Sequence, residues 1–172
     1  VLKAVFDLTA EDARADDNFA LKVAAQNGHV EVLRVLKDEW GLTDEDARAG
    51  DNFALGWAAR NGHVEVLRFL KDEWKLTVVD ARANNNQALR WAAQNGHVDV
   101  LRFLKEVFGL TAHDARACNN YALIGAARNG HVEVLRFLKN EWKLTVVDAR
   151  ADHNDALGWA AANGHVEVLR VL

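Results

Sequence analysis

The tripeptide Asn-Gly-His occurs five times at intervals of 34 residues, at Asn27-Gly28-His29, Asn61-Gly62-His63, Asn95-Gly96-His97, Asn129-Gly130-His131 and Asn163-Gly164-His165. Leu-Thr keeps the same interval, at Leu8-Thr9, Leu42-Thr43, Leu76-Thr77, Leu110-Thr111 and Leu144-Thr145, with no insertion or deletion. A unit this short cannot bury its own apolar face, so a chain in fixed register folds as a stack in which each unit covers the next. The restricted alphabet agrees with copying of one unit: Pro, Met and Ser are absent, and every Thr falls at one repeat position.

Within a unit the elements are local readings. Asn18 before Phe19–Gln26 reads as an N-cap on a first helix, and Asn27-Gly28 as its left-handed stop. A second helix is expected from about His29 to Trp40, with Val30, Leu33 and Leu36 on its apolar side and Arg34 and Lys37 outward, ended by Gly41. Thr43 followed by Asp46 makes a capping box with Asp in place of Glu, which predicts a short third helix over about residues 44–49. No segment alternates as a strand would. Residues 1–6 align with residues 35–40, and the last unit stops within its second helix at Val171-Leu172. The expectation is one array over 1–172, cut mid-repeat at both ends, without polar capping units.

The stretch Ala24-Ala25-Gln26-Asn27-Gly28-His29-Val30-Glu31-Val32-Leu33, repeated in all five units, resembles the ankyrin-repeat pattern Ala-Ala-x-x-Gly-His-x-Glu-Val-Val. Two features depart from it. Phe19-Ala20-Leu21-Lys22 stands where the family carries Thr-Pro-Leu-His, and the connection Gly41–Ala49 reads as a helical turn where the family has a hairpin finger. The tetratricopeptide family shares the 34-residue period, but its Trp/Leu-Gly/Tyr pattern and proline are missing. The resemblance implies an all-α, ankyrin-like helical solenoid of five 34-residue repeats, with a concave strip that receives a partner.

Comparing the units shows where that strip would lie. The Asn-Gly-His segment and the second helix barely change. Variation gathers at four first-helix positions: Phe19, Phe53, Gln87, Tyr121 and Asp155; Lys22, Gly56, Arg90, Ile124 and Gly158; Val23, Trp57, Trp91, Gly125 and Trp159; Gln26, Arg60, Gln94, Arg128 and Ala162. Offsets of 0, 3, 4 and 7 share one helical face. A second variable patch covers the equivalents of residues 10, 11, 16 and 17. The partner-binding set expected from this pattern is Phe19, Lys22, Phe53, Trp57, Arg60, Gln87, Arg90, Trp91, Tyr121, Ile124, Arg128 and Trp159. The competing assignment for Trp57, Trp91 and Trp159 is space-filling between repeats; the first, second and fourth positions are expected to be exposed.

Other classes find less support. The formal net charge of -4 speaks against a nucleic-acid partner, which calls for a basic stripe. No apolar run reaches the ~20 residues of a membrane span. The five framework histidines sit one unit apart, about 10 Å in packed helices, too far to share a metal; His113 and His153 are isolated. Cys118 has no activating neighbour in sequence. Thr9, Asp12 and Arg14, repeated in every unit, are expected to serve caps and contacts between repeats. No nucleophile triad, phosphate loop or metal cluster occurs, so neither an enzyme nor a cofactor is expected. The leading function is a protein-binding scaffold. The alternative, motivated by apolar ends at Val5, Phe6, Val171 and Leu172, is end-to-end self-association into a rod or filament.

Overall fold

Each unit runs connector helix, first helix, second helix. The computed structural model describes residues 6–172, and among them there are fourteen helices and no strand. The connectors are Ala10–Ala13, Val78–Ala81, Ala112–Ala115 and Val146–Ala149. In the second unit the connector runs into the first helix as Asp44–Arg60, with a break in helical geometry at Ala49–Asn52. The other first helices are Ala15–Gln26, Ala83–Gln94, Ala117–Arg128 and Ala151–Ala162. The second helices are Val30–Asp38, Val64–Glu73, Val98–Glu106, Val132–Glu141 and Val166–Val171. The helical turn predicted in place of a hairpin is therefore what forms. The start of the array in residues 1–5 lies outside the described residues.

The connector forms because its capping box closes. The Thr77 backbone N–H donates to Asp80 Oδ2 at 2.7 Å, and the Thr77 hydroxyl lies 3.0 Å from the same oxygen. The box recurs at Thr9, Thr43, Thr111 and Thr145. It satisfies N–H groups that a four-residue helix could not otherwise pair.

Asn18 corrects one expectation: it is not an N-cap. It has φ 60° and ψ 39°, and with Asp16 and Asp17 forms three successive left-handed residues. They turn the chain from the connector into the first helix. The Oδ1 atoms of Asn18, Asn52, Asn86 and Asn120 are buried without a hydrogen-bond partner, so none acts as a capping acceptor. Asn and Asp accept left-handed geometry better than other side chains. That preference explains the Asn, Asp and Gly richness of 16–18, 50–52 and 84–86.

First helices of successive units lie side by side in one layer, and the second helices in another. Between the layers sit Leu21, Leu55, Leu89 and Leu123 from the first helices and Leu33, Leu67, Leu101 and Leu135 from the second, all buried. The paired alanines, such as Ala58-Ala59 and Ala92-Ala93, are also buried. Their small size lets neighbouring first helices approach closely, and this brings the variable residues of adjacent units into contact.

Candidate functional site

Two repeated devices hold neighbouring first helices in register. In the first, the Asn-Gly-His segment grips the previous unit by one carbonyl. Asn61 Nδ2 donates to the Gln26 carbonyl at 2.8 Å, and His63 Nε2 lies 3.0 Å from the same oxygen. Asn163 and His165 do this on the Arg128 carbonyl, at 2.8 and 2.9 Å. Since a carbonyl only accepts, Nε2 of these imidazoles carries the proton. Only the backbone at this first-helix position is used, which leaves its side chain free to vary.

In the second device an arginine crosses to the capping aspartate of the next unit. Arg14 Nε donates to Asp46 Oδ1 at 2.9 Å and Arg82 Nε to Asp114 Oδ1 at 2.7 Å, with Arg48–Asp80 and Arg116–Asp148 alike. Burial opposes ionisation of Asp46, Asp80 and Asp114. Hydrogen bonds from arginine and threonine outweigh it and hold each carboxyl below 3.8. Asp148 is held down first by its bond from Arg116. Burial instead pushes the His131 imidazole below 6.5, against its hydrogen bond to the Gln94 carbonyl.

Both shifts are downward, so both stabilise the fold above the unfolded-state pKa and fail as pH falls through the folded one. Thermal stability should therefore decline in two stages on acidification. A small loss below 6.5 comes from His131, and a larger one below 3.8 from the four aspartates. Circular-dichroism melts across pH test this; a midpoint unchanged from about pH 8 to about pH 3 would contradict it.

On this scaffold the variable first-helix residues form a row of rings and cations. Phe53 and Trp57 have centroids 5.3 Å apart, and Trp57 meets Trp91 edge-on across the repeat boundary at 5.4 Å. The Arg60 guanidinium lies 4.4 Å from the Trp57 centroid and 5.4 Å from that of Trp91. Lys22 pairs with Asp17 and stands 5.1 Å from the Phe53 centroid. Arg90 is 5.5 Å from the Tyr121 centroid and donates to the Asn85 and Asn84 carbonyls at 2.9 and 3.0 Å. Arg128 lies 4.5 Å from the Trp159 centroid.

Exposure along the row is mixed. Phe19 is 57% exposed and Trp159 40%, while Phe53, Trp57, Trp91, Gln87 and Tyr121 are half-buried. The tryptophans thus both fill space between repeats and present an edge. Ile124 departs from its expected exposure: it is only 8% exposed, because an alkyl side chain has no charge to carry to water. Among the described residues no group of three His, Cys, Asp or Glu could hold a metal, and no helix is long and apolar enough to cross a membrane. His113, His153 and Cys118 are exposed.

Sequence comparison passed over one feature of this row. Asp152 and Asp155 join Arg128, Tyr121, Ile124, Gly125 and Trp159, with Gln94 and Cys118 at its edge, around an open cavity of about 120 Å³ across the last repeat boundary. Asp155 stood in a variable column, and Asp152 beside it in the variable connection. Nothing in the sequence says that the two meet the fourth unit's Tyr121.

Helix pairs stacked in two layers, joined by capped connectors and locked between units by repeated polar contacts, define a solenoid repeat protein. A family model described as ankyrin repeats (3 copies) matches residues 2–73, 21–110 and 107–172, nearly the whole chain. The chain belongs to the ankyrin-repeat family. No curated protein matches it.

Proposed function

We propose that this chain is a protein-interaction scaffold that receives its partner along the first-helix row from Phe19 to Trp159. Ankyrin repeats are in general protein–protein interaction modules. The observation that carries the reading is that the varying first-helix residues converge on one row of aromatic edges and cations, while the locking residues stay constant. Trp, Tyr and Arg are the side chains most often found to dominate interface energetics.

The test uses dodecamer peptides selected from a random display library on the full chain. Arg60→Ala and Tyr121→Ala should each weaken the selected peptides by about tenfold or more, the range of an interface hot spot. Arg68→Ala on the second-helix layer should leave binding within about twofold. Arg90 is a poorer probe, because it also holds the turn carbonyls. Peptides indifferent to Arg60→Ala and Tyr121→Ala would defeat the reading.

A second reading, self-association through a second copy docked on the last unit, has its own support. Leu157 is 51% exposed, although its equivalents Leu21, Leu55, Leu89 and Leu123 are each buried under the following unit. Trp159, Val166 and Leu169 on the same unit are also exposed. Sedimentation over a concentration series decides it: a mass that stays that of one chain removes self-association.

A further inference from the structure

Every boundary between units is closed by the same three contacts. An arginine crosses to the capping aspartate of the next unit, as Arg116 Nε does to Asp148 Oδ1 at 2.6 Å. A histidine reaches back to a first-helix carbonyl, as His165 does to that of Arg128. A leucine of one first helix and an alanine of the next are both covered. Leu21, Leu55, Leu89 and Leu123, and Ala54, Ala88, Ala122 and Ala156, are at most 5% exposed.

The outer faces of the first and last units carry the two halves of these contacts unmade. On the leading face of the first unit, Asp12 Oδ2 takes the Thr9 N–H and hydroxyl at 2.7 and 2.9 Å, while Oδ1 has no donor among the described residues. Asp12 is exposed, whereas Asp46, Asp80, Asp114 and Asp148 are buried. The His29 ring is exposed and has no hydrogen-bond partner among the described residues, and Ala20 is exposed beside it. On the trailing face of the last unit, Arg150 forms no ion pair among the described residues, and Leu157 is 51% exposed. The Ala162 carbonyl, equivalent to those of Gln26 and Arg128, has no histidine or asparagine against it. Each half left unmade on one face has its complement on the other.

We propose that the trailing face of the last unit, marked by Arg150, Leu157 and Ala162, receives the leading face of a second copy, marked by Asp12, Ala20 and His29. This rests on the reading of the last unit as a self-association surface, and adds which face of the second copy docks there. The contact continues the interface that the chain makes four times within itself. Arg150 donates to the free Asp12 oxygen, His29 donates to the Ala162 carbonyl, and Leu157 and Ala20 are covered. Such a junction is heterologous: each added copy presents a fresh trailing face, so assembly does not stop at two. Between copies the contact must offset the lost freedom of two separate molecules, which makes assembly depend on concentration.

Sedimentation velocity on the full chain, with one variant on each face, tests this. Ala20→Glu alters the leading face and Leu157→Asp the trailing face. Both positions are exposed in the single chain, so neither should move the melting midpoint. The unaltered chain should form species that grow past two copies as concentration rises. Each variant alone should associate about tenfold or more weakly, because docking buries its charge unpaired. A mixture of the two should form pairs and stop there, since each variant keeps the face that the other lacks. Arg150→Glu, which sets a carboxylate against Asp12, should also weaken association by about tenfold or more.

Association that Leu157→Asp weakens but Ala20→Glu does not would mean that copies meet through their last units alone. The self-association reading then stands and the head-to-tail contact fails. A mixture that forms no pairs, or an assembly that stops at two, also overturns the contact. Association indifferent to Leu157→Asp, or a mass of one chain at every concentration, removes both.

Discussion

Gly96→Ala is expected to cost about 3 kcal/mol of stability, against about 1 kcal/mol for Gly164→Ala, although both change the same Asn-Gly-His motif. Both glycines are left-handed, with φ +84° and +73°, and an L residue there carries a strain of about 1–2 kcal/mol. Space separates them. A Cβ on Gly96 would lie 2.7 Å from His131 Nδ1 and 2.9 Å from its Cε1, whereas one on Gly164 would meet nothing within 4 Å. The His131 ring must shift, which strains its bond to the Gln94 carbonyl, worth about 1 kcal/mol, and opens the packing beneath it. Array stability is a sum of unit and interface terms, so the damage should also loosen coupling between the halves and broaden the urea transition. Equal losses for the two variants would show that backbone geometry alone, and not the close approach of the histidine, fixes this glycine.

Asp80→Ala should cost about 2–3 kcal/mol, far more than an ordinary surface change. The carboxylate serves two elements at once. Oδ2 accepts the Thr77 N–H at 2.7 Å and caps the third connector, while Oδ1 accepts Arg48 Nε at 2.9 Å from the second unit. Losing the cap costs about 1 kcal/mol. Losing the bond to a charged donor adds about 1–2 kcal/mol, toward the low end because Arg48 is one-third exposed and keeps Asp44 as a partner. Asp80→Asn should fall between, since its amide oxygen still accepts from Thr77. The Ala variant should also lose less stability on acidification, having one fewer depressed carboxyl to protonate. Urea denaturation at neutral and acidic pH reads both; a loss below about 0.5 kcal/mol would mean that the arginine bridge contributes nothing measurable.

Much of this architecture is legible in the residues because it is locally encoded. The capping box at Thr43 and Asp46, the positive-φ stop at Gly28 and the apolar spacing of Val30, Leu33 and Leu36 each depend on residues a few positions apart. Asn18 was misread for the same reason. The residue before a helix is commonly a cap, and only the backbone shows that Asp16, Asp17 and Asn18 instead form a left-handed turn.

The candidate site divides differently. The sequence by itself determined the family, the unit and the face on which variation falls, because a period of 34 and a helix of 3.6 residues per turn place side chains without further information. Only the tertiary structure decided how each variable residue is used, because its neighbours lie about one unit away along the chain. Trp57 meets Trp91, Lys22 meets Phe53, and Arg128 meets Trp159 across repeat boundaries. Whether a side chain is covered, paired or left open depends on what the adjoining repeat places against it. That is why Ile124 lies inward while Phe19 stays exposed.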